Sequence, residues 1–270
     1  MAREWRRLLI EPARLAAATE GLVALKAEES HYLRRVLRLR PGDRFALIDG
    51  RGRLWSALLH GADQARLEQP QAQPLVCRPA PAPPLELVVA PPKRDTDVLV
   101  RMACELGIDR LTLVQAERRV APPLAAARAQ AIVREACEQS ERLWLPQLVL
   151  DPPLDQALNP RAESATVDAC PGQPLPVLSL LATPRSPDLP SLLQALGQAG
   201  AVAAAGVRLA IGPEGGWTPA EQERALGWGW RPVSLGETIL RSSTAAVAAA
   251  SLMAAWREGI SCAADRHPSP

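Results

Sequence analysis

Residues 207–223 read "VRLAIGPEGGWTPAEQE". The largely apolar run 207–211 has the composition of a short buried strand, and it stops at Gly212. Gly212, Gly215 and Gly216 then allow backbone geometry and close approach that side chains would block. Thr218, Pro219 and Glu221 form a T-P-x-E start signal. Thr218 is the N-cap, Pro219 takes the first helical position, and Glu221 reaches back to close a capping box. Strand, open glycine loop and capped helix in direct succession are half of an α/β unit. A ligand site is expected in the loop, because open α/β sheets bind ligands at the carboxyl ends of their strands.

The same alternation runs outward from this stretch. "LELVVA" (85–90), "LTLVQA" (111–116), "VLSLLA" (177–182) and "RPVSLG" (231–236) read as further strands. "DVLVRMACELG" (97–107) and "LAAARAQAIVREACEQS" (124–140) read as helices between them. The expected fold class is α/β with a parallel sheet. Upstream, "FALIDG" (45–50) and "LWSALLHG" (54–61), separated by glycine turns, indicate a smaller β-rich domain. "EQPQAQPLVCRPAPAPP" (68–84) reads as a proline-rich, semi-rigid linker. The expected boundaries are 1–74 for the first domain, 75–84 for the linker, 85–264 for the α/β domain and 265–270 for a tail.

The chain of 270 residues, 47% of them hydrophobic, is long enough to bury a real core. It has no apolar run of eighteen residues and no secretory leader, which argues for a cytoplasmic protein without membrane contact. Five scattered cysteines without a C-x-x-C and only three histidines support neither a disulfide framework nor a metal site. The net charge of +2 is unevenly spread: residues 1–70 hold 13 Lys+Arg against 9 Asp+Glu. That end is the candidate for touching a polyanion. The glycine loop is not a phosphate cradle, since it lacks the Lys-Ser/Thr end of a P-loop and the spacing of a dinucleotide fold, and Glu214 repels phosphate. A neutral or cationic adenosine ligand fits it better.

Five motifs in order resemble the RsmE family of bacterial methyltransferases, which act on N3 of a uridine in 16S ribosomal RNA. They are "HYLRRVLRLRPGD" (31–43), "ELGIDRLTLVQAERR" (105–119), "EACEQSER" (135–142), "IGPEGG" (211–216) and "LGETILRSSTA" (235–245). The resemblance implies a PUA-like β-barrel followed by a SPOUT methyltransferase domain threaded as a trefoil knot. It also implies S-adenosyl-L-methionine as cofactor, a homodimer, and 16S ribosomal RNA or the assembled small ribosomal subunit as partner. On this reading Leu181, Thr183, Ile211, Gly212, Glu214, Gly215, Gly216, Leu235, Gly236, Ile239 and Leu240 hold the cofactor. Arg241 is the catalytic residue that stabilises the developing uracil anion. His31, Arg34, Arg35, Arg38, Arg118, Arg119 and Arg142 are the RNA contacts. If residues 32–40 are helical, Leu33, Val36 and Leu37 face the core. Trp217, beside the glycines, is placed at the mouth of the cofactor site. The chain departs from the family pattern at Ser243, where a glutamate is usual, at Thr238 and at Met102. The alternatives are an RNA-binding protein on the same fold with weak or no activity, and a SPOUT enzyme acting on another RNA such as tRNA.

Overall fold

The computed structural model describes residues 5–159, 177–183, 188–199 and 205–266. It divides into one unit of Met1–Ala80 with Arg134–Leu145, and a second of Pro81–Val133 with Pro146–Pro270.

The first unit holds a six-stranded sheet made of β1 (Arg7–Leu9), β2 (Leu22–Ala24), β3 (Arg44–Ile48), β4 (Arg53–His60), β5 (Gln64–Leu67) and β6 (Val76–Cys77). Its order is β1-β3-β4-β5-β2, with β6 pairing on β4. Strand periodicity sorts its side chains into two cores. Phe45, Leu47, Trp55, Ala57 and Leu59 enter one cluster with Leu8, Ile10, Val23 and Leu33. Ala46, Ile48 and Leu54 enter another with Leu9 and Leu143. Both faces of β3 are therefore buried, which accounts for its unbroken apolar sequence. A Cβ at Gly52 would come within 2.2 Å of the Arg78 carbonyl oxygen and 2.6 Å of the Trp144 indole nitrogen, so this turn requires glycine. The expected linker is partly a strand: its apolar patch supplies β6, whose Leu54–Val76 register satisfies backbone groups on β4.

Helices α1 (Pro12–Ala16) and α2 (Ala27–His31) precede a π-helical turn, Tyr32–Val36. The Leu37 amide donates to the Tyr32 carbonyl at 2.9 Å, an i→i−5 bond. This wider turn overturns the expected helical register. Leu33 is fully buried, but Val36 is 60% exposed.

The second unit is a parallel six-stranded sheet of β7 (Leu85–Val89), β8 (Arg110–Gln115), β9 (Gln147–Pro153), β10 (Val177–Ala182), β11 (Gly206–Ile211) and β12 (Arg231–Val233). The order is β12-β10-β11-β7-β8-β9. Central strands β7 and β11 are buried along their whole length, as expected where both faces of a parallel sheet are covered. The helices are α3 (Thr96–Glu105), the part of α4 (Ala126–Gln139) before Arg134, whose remainder belongs to the first unit, α5 (Leu154–Leu158), α6 (Leu192–Ala199), α7 (Pro219–Gly227) and α8 (Ser242–Arg266). α8 packs on β7, β11, α3 and α6. On the other face, Leu154, Ala157 and Leu158 of α5 and Ala225 of α7 join Val88, Val114, Ala210 and Trp230. β9, α5 and α6 were not expected from sequence. β9 is an edge strand ending in two prolines, and tertiary pairing with β8 overrides that signal. The chain runs from β7 outward to β9, then returns across the sheet to β10, β11 and β12. The carboxyl ends of these last three strands border the reversal.

Candidate active site

Three loops meet at those strand ends. The loop after β11 enters α7 through the expected capping box: Thr218 accepts from the Glu221 amide, and the Glu221 carboxylate accepts from the Thr218 amide at 2.8 Å. Glu221 is 3% exposed and its other oxygen accepts from the Glu117 amide at 2.8 Å, which ties α7 to the loop after β8. The carboxylate is thus a structural anchor. The loop after β12 is pinned by Ser234, whose hydroxyl bonds the Gly236 carbonyl and amide. Ser242, the first residue of α8, donates to the Gly212 carbonyl at 2.9 Å and joins the two loops.

Together they enclose a cavity of about 320 Å³. Thr183, Ile211, Gly212, Glu214, Gly215, Gly216, Leu235, Gly236, Ile239 and Leu240 all line it. Leu181 does not. It is 1% exposed and packs with Trp217 and Trp230, because alternation along β10 turns it into the core while the strand end reaches the cavity. Ala182, Pro213, Trp217, Ser234, Thr238, Ser242 and Ala245 also contribute to the wall. Trp217 is nearly buried, with its indole nitrogen donating to the Ala182 carbonyl at 3.1 Å.

The glycines serve the protein as much as the space. A Cβ on Gly212 would meet the Trp217 ring at 3.2 Å, and one on Gly215 would meet the Arg118 stem at 3.3 Å. Gly216 (φ +69°) and Gly236 (φ +139°) use backbone conformations that L-residues rarely adopt. A bulky side chain at Gly215 therefore presses on Arg118 rather than filling the cavity. Glu214 accepts from the Lys93 amide at 2.9 Å, so one carboxylate oxygen braces the loop after β7. The Thr183 hydroxyl is buried with no hydrogen-bond partner among the described residues. A buried unpaired hydroxyl is costly, and at a cavity wall it suits a ligand atom.

Arg241 immediately precedes α8 and is exposed; it is not among the cavity-lining residues. Of the expected RNA contacts, His31, Arg35 and Arg38 are exposed, and Arg34 is half-buried with a bond to the Gly61 carbonyl. Arg118 donates to the Gly215 carbonyl at 2.8 Å and stays exposed. Arg119 is held inside by Asp151 and by the Ala121 and Val114 carbonyls, and Arg142 bonds the Trp144 carbonyl. Those two act as braces, which sequence spacing alone does not reveal. Among the described residues no group of three or more metal-ligating side chains occurs, and no helix is long and apolar enough to cross a membrane. Cys170 and His267 lie outside the described residues.

Comparison with known proteins agrees with this architecture. Residues 78–254 match the family model for an RNA methyltransferase domain, and residues 25–66 match an RNA methyltransferase PUA domain. The chain is therefore an RNA methyltransferase with an N-terminal PUA domain and an α/β methyltransferase domain. It is 36% identical over 248 residues to ribosomal RNA small subunit methyltransferase E of Synechocystis, covering 88% of this chain and 74% of that one. The Mycobacterium bovis protein of that name is 31% identical, covering 86% and 85%. The chain belongs to the ribosomal RNA small subunit methyltransferase E family. Among solved structures, the Neisseria gonorrhoeae methyltransferase E bound to S-adenosyl methionine matches with TM-score 0.71 and 26% identity over 93% of this chain and 97% of that one. A Legionella pneumophila methyltransferase matches in fold with TM-score 0.69 and 23% identity, covering 93% and 98%.

Proposed function

We propose that the protein methylates N3 of a specific uridine in 16S ribosomal RNA of the small subunit, with S-adenosylmethionine held in the cavity at the ends of β10, β11 and β12. The observation that carries this reading is the Thr183 hydroxyl, without a hydrogen-bond partner among the described residues, in the wall of a cavity lined mainly by glycine and apolar residues, with Glu214, Ser234, Thr238 and Ser242 as its other polar members. Its volume of about 320 Å³ falls within the range of small-ligand sites. The Glu214 carboxylate in the wall suits a cation and opposes a phosphate. Thr183, the 212–216 loop and the 235–240 loop are the residues that fit the cofactor. When bound, it supplies an electrophilic methyl carbon on a sulfonium.

The chain's own task is to orient the uracil and help its imide nitrogen lose a proton. Arg241 stabilises the resulting anion by its fixed positive charge. In this reading residues 1–74 bind RNA, residues 85–264 carry the transfer, and the cavity loops belong to a knotted path. Two copies pair, and Ile239, 87% exposed on a cavity loop, is a side chain for the partner to cover.

The test has two parts. Modified uridines are mapped by mass spectrometry in small-subunit RNA from cells with and without the protein, and loss of one 3-methyluridine is expected. Calorimetry with S-adenosylmethionine compares wild type with Thr183→Val, for which affinity should fall about tenfold through loss of one hydrogen bond. An unchanged uridine pattern overturns the substrate, and an unchanged affinity in a folded variant overturns the role of Thr183.

A further inference from the structure

The first unit contains a second concave site, which shares no residue with the cofactor cavity. It is a groove of about 690 Å³ between the chain before β1, the end of the π-helical turn, the start of β3 and the last residues of α4. Four arginines line it: Arg6, Arg7, Arg38 and Arg44. Two are neutralised. Arg7 pairs with Glu141 at 2.6 Å, and Arg44 pairs with Glu68 at 2.5 Å. The Asp43 carboxylate, also in the wall, accepts from the Arg40 amide at 2.7 Å and closes the turn before β3. Arg6 and Arg38 are exposed and have no carboxylate partner among the described residues. Arg6 and Arg38 are therefore the guanidinium groups of the groove that no ion pair occupies, set in a wall that also carries the Asp43 and Glu138 carboxyls, and their donor geometry suits a phosphate.

Arg44 has a second contact. Its guanidinium lies 5.4 Å from the centroid of the Trp5 ring. An arginine stacked on an indole is a flat, cationic surface of the kind on which unpaired bases stack. At the α4 side, Glu138 accepts from the Leu9 amide at 2.8 Å through one oxygen, and Gln139 reaches the Tyr32 hydroxyl at 3.3 Å. Their remaining polar atoms are suited to a base edge.

Arg38 is set there at a cost. Its φ is +58°, and the Leu39 amide donates across it to the Leu33 carbonyl at 2.9 Å. That is the left-handed position at a helix end where glycine is the usual residue. A side chain kept where glycine is less strained points to a use for the side chain.

We propose that this groove binds one unpaired nucleotide of the RNA substrate, its phosphate on Arg6 and Arg38 and its base against the Trp5–Arg44 stack. The inference rests on the substrate being RNA, but not on which base is methylated or on the identity of the cofactor.

The test measures binding of a 16S ribosomal RNA transcript to the full-length protein by fluorescence anisotropy over a range of salt. Arg6→Ala with Arg38→Gly should lower affinity about tenfold or more and flatten the slope of log affinity against log salt by about 2. Arg38→Gly alone relieves the left-handed strain, so it should keep or raise thermal stability while losing affinity, which a purely structural role does not produce. Trp5→Ala should lower affinity about tenfold with little change in salt slope, because stacking releases no counterions. Calorimetry should give wild-type affinity for S-adenosylmethionine in every variant. Wild-type RNA affinity and slope in the folded double variant overturn the groove, even if methyl transfer proceeds. Loss of RNA affinity as expected, with no methylation of 16S RNA by the wild type, supports the groove and overturns the proposed reaction instead.

Discussion

At the cavity bordered by the ends of β10, β11 and β12 the chain presents backbone, glycine and largely uncharged side chains, with Thr183, Ile211, Leu235 and Ala245 in the wall and Glu214 as its acidic member. The groove of the first unit is lined by Trp5, by Arg6, Arg7, Arg38 and Arg44, and by Asp43, Glu138 and Glu141. The two sites even treat left-handed backbone differently. The cavity loops assign it to Gly216 and Gly236, whereas the groove assigns it to Arg38 and Glu141. Shape and short-range hydrogen bonds recognise a compact ligand with little dependence on salt. Exposed charge recognises a polyanion and weakens as salt rises. On the proposed assignments, one chain separates a binding mode that must be exact in geometry from one that must tolerate a long, flexible substrate.

The largest expected effect lies on the cavity side. Arg241→Ala should slow methyl transfer by about 10²–10³-fold, the cost of removing one group aimed at developing charge. Cofactor affinity should stay at the wild-type value, since Arg241 is outside the lining. Single-turnover rates with saturating RNA and cofactor decide this, and an unchanged rate removes Arg241 from the chemistry.

On the groove side the strongest single-site effect is on stability. Burial pushes the Glu138 carboxyl up to about 7, with Glu29 and Glu135 adding to the rise and the Leu9 amide and Arg134 opposing it. The folded state therefore holds a proton that the unfolded chain releases near its ordinary value of 4.5. Stability falls as pH rises from about 4.5 to 7 and then levels off. Glu138→Gln keeps an acceptor for the Leu9 amide but has no charge to bury. It should be more stable than wild type by about 2–3 kcal/mol at pH 8, with the gap closing toward pH 4.5. Urea unfolding at the two pH values measures it, and a pH-independent gap contradicts the raised pKa.

The smallest effect is expected at Ser243. It sits in the first turn of α8, is half-buried, and is not among the cavity-lining residues. Ser243→Glu adds a favourable charge at a helix start, so methyl transfer should change by no more than about threefold. A large gain near neutral pH, shrinking as pH rises, would instead make a carboxylate at this position part of proton removal.

The local signals in the sequence were reliable where the physics is local. The capping box at Thr218, the glycine loop and the apolar strands β7, β8, β10 and β11 each depend on residues within a few positions of one another. Ten cavity residues could be named because the loops that follow those strands share one end of a parallel sheet. The groove was only partly legible, through the excess of arginine in residues 1–70. Trp5 gave no signal, and Glu138 and Gln139, although inside the 135–142 motif, could not be placed beside it, because they are brought together across more than 130 positions.

The sequence by itself determined the alternation of strand and helix, the loop that opens a cavity and the family to which the chain belongs. Only the tertiary structure decided the strand order, the membership of residues 134–145 in the first unit, and the fate of individual side chains. Arg119 is a brace because Asp151 is beside it, Gly215 is small because Arg118 lies on it, and Val36 is exposed because an i→i−5 bond widened its turn. Periodicity and capping are properties of neighbouring residues. Pairing, close approach and register are set by residues distant in the chain, and their energies exist only once the fold has brought them together.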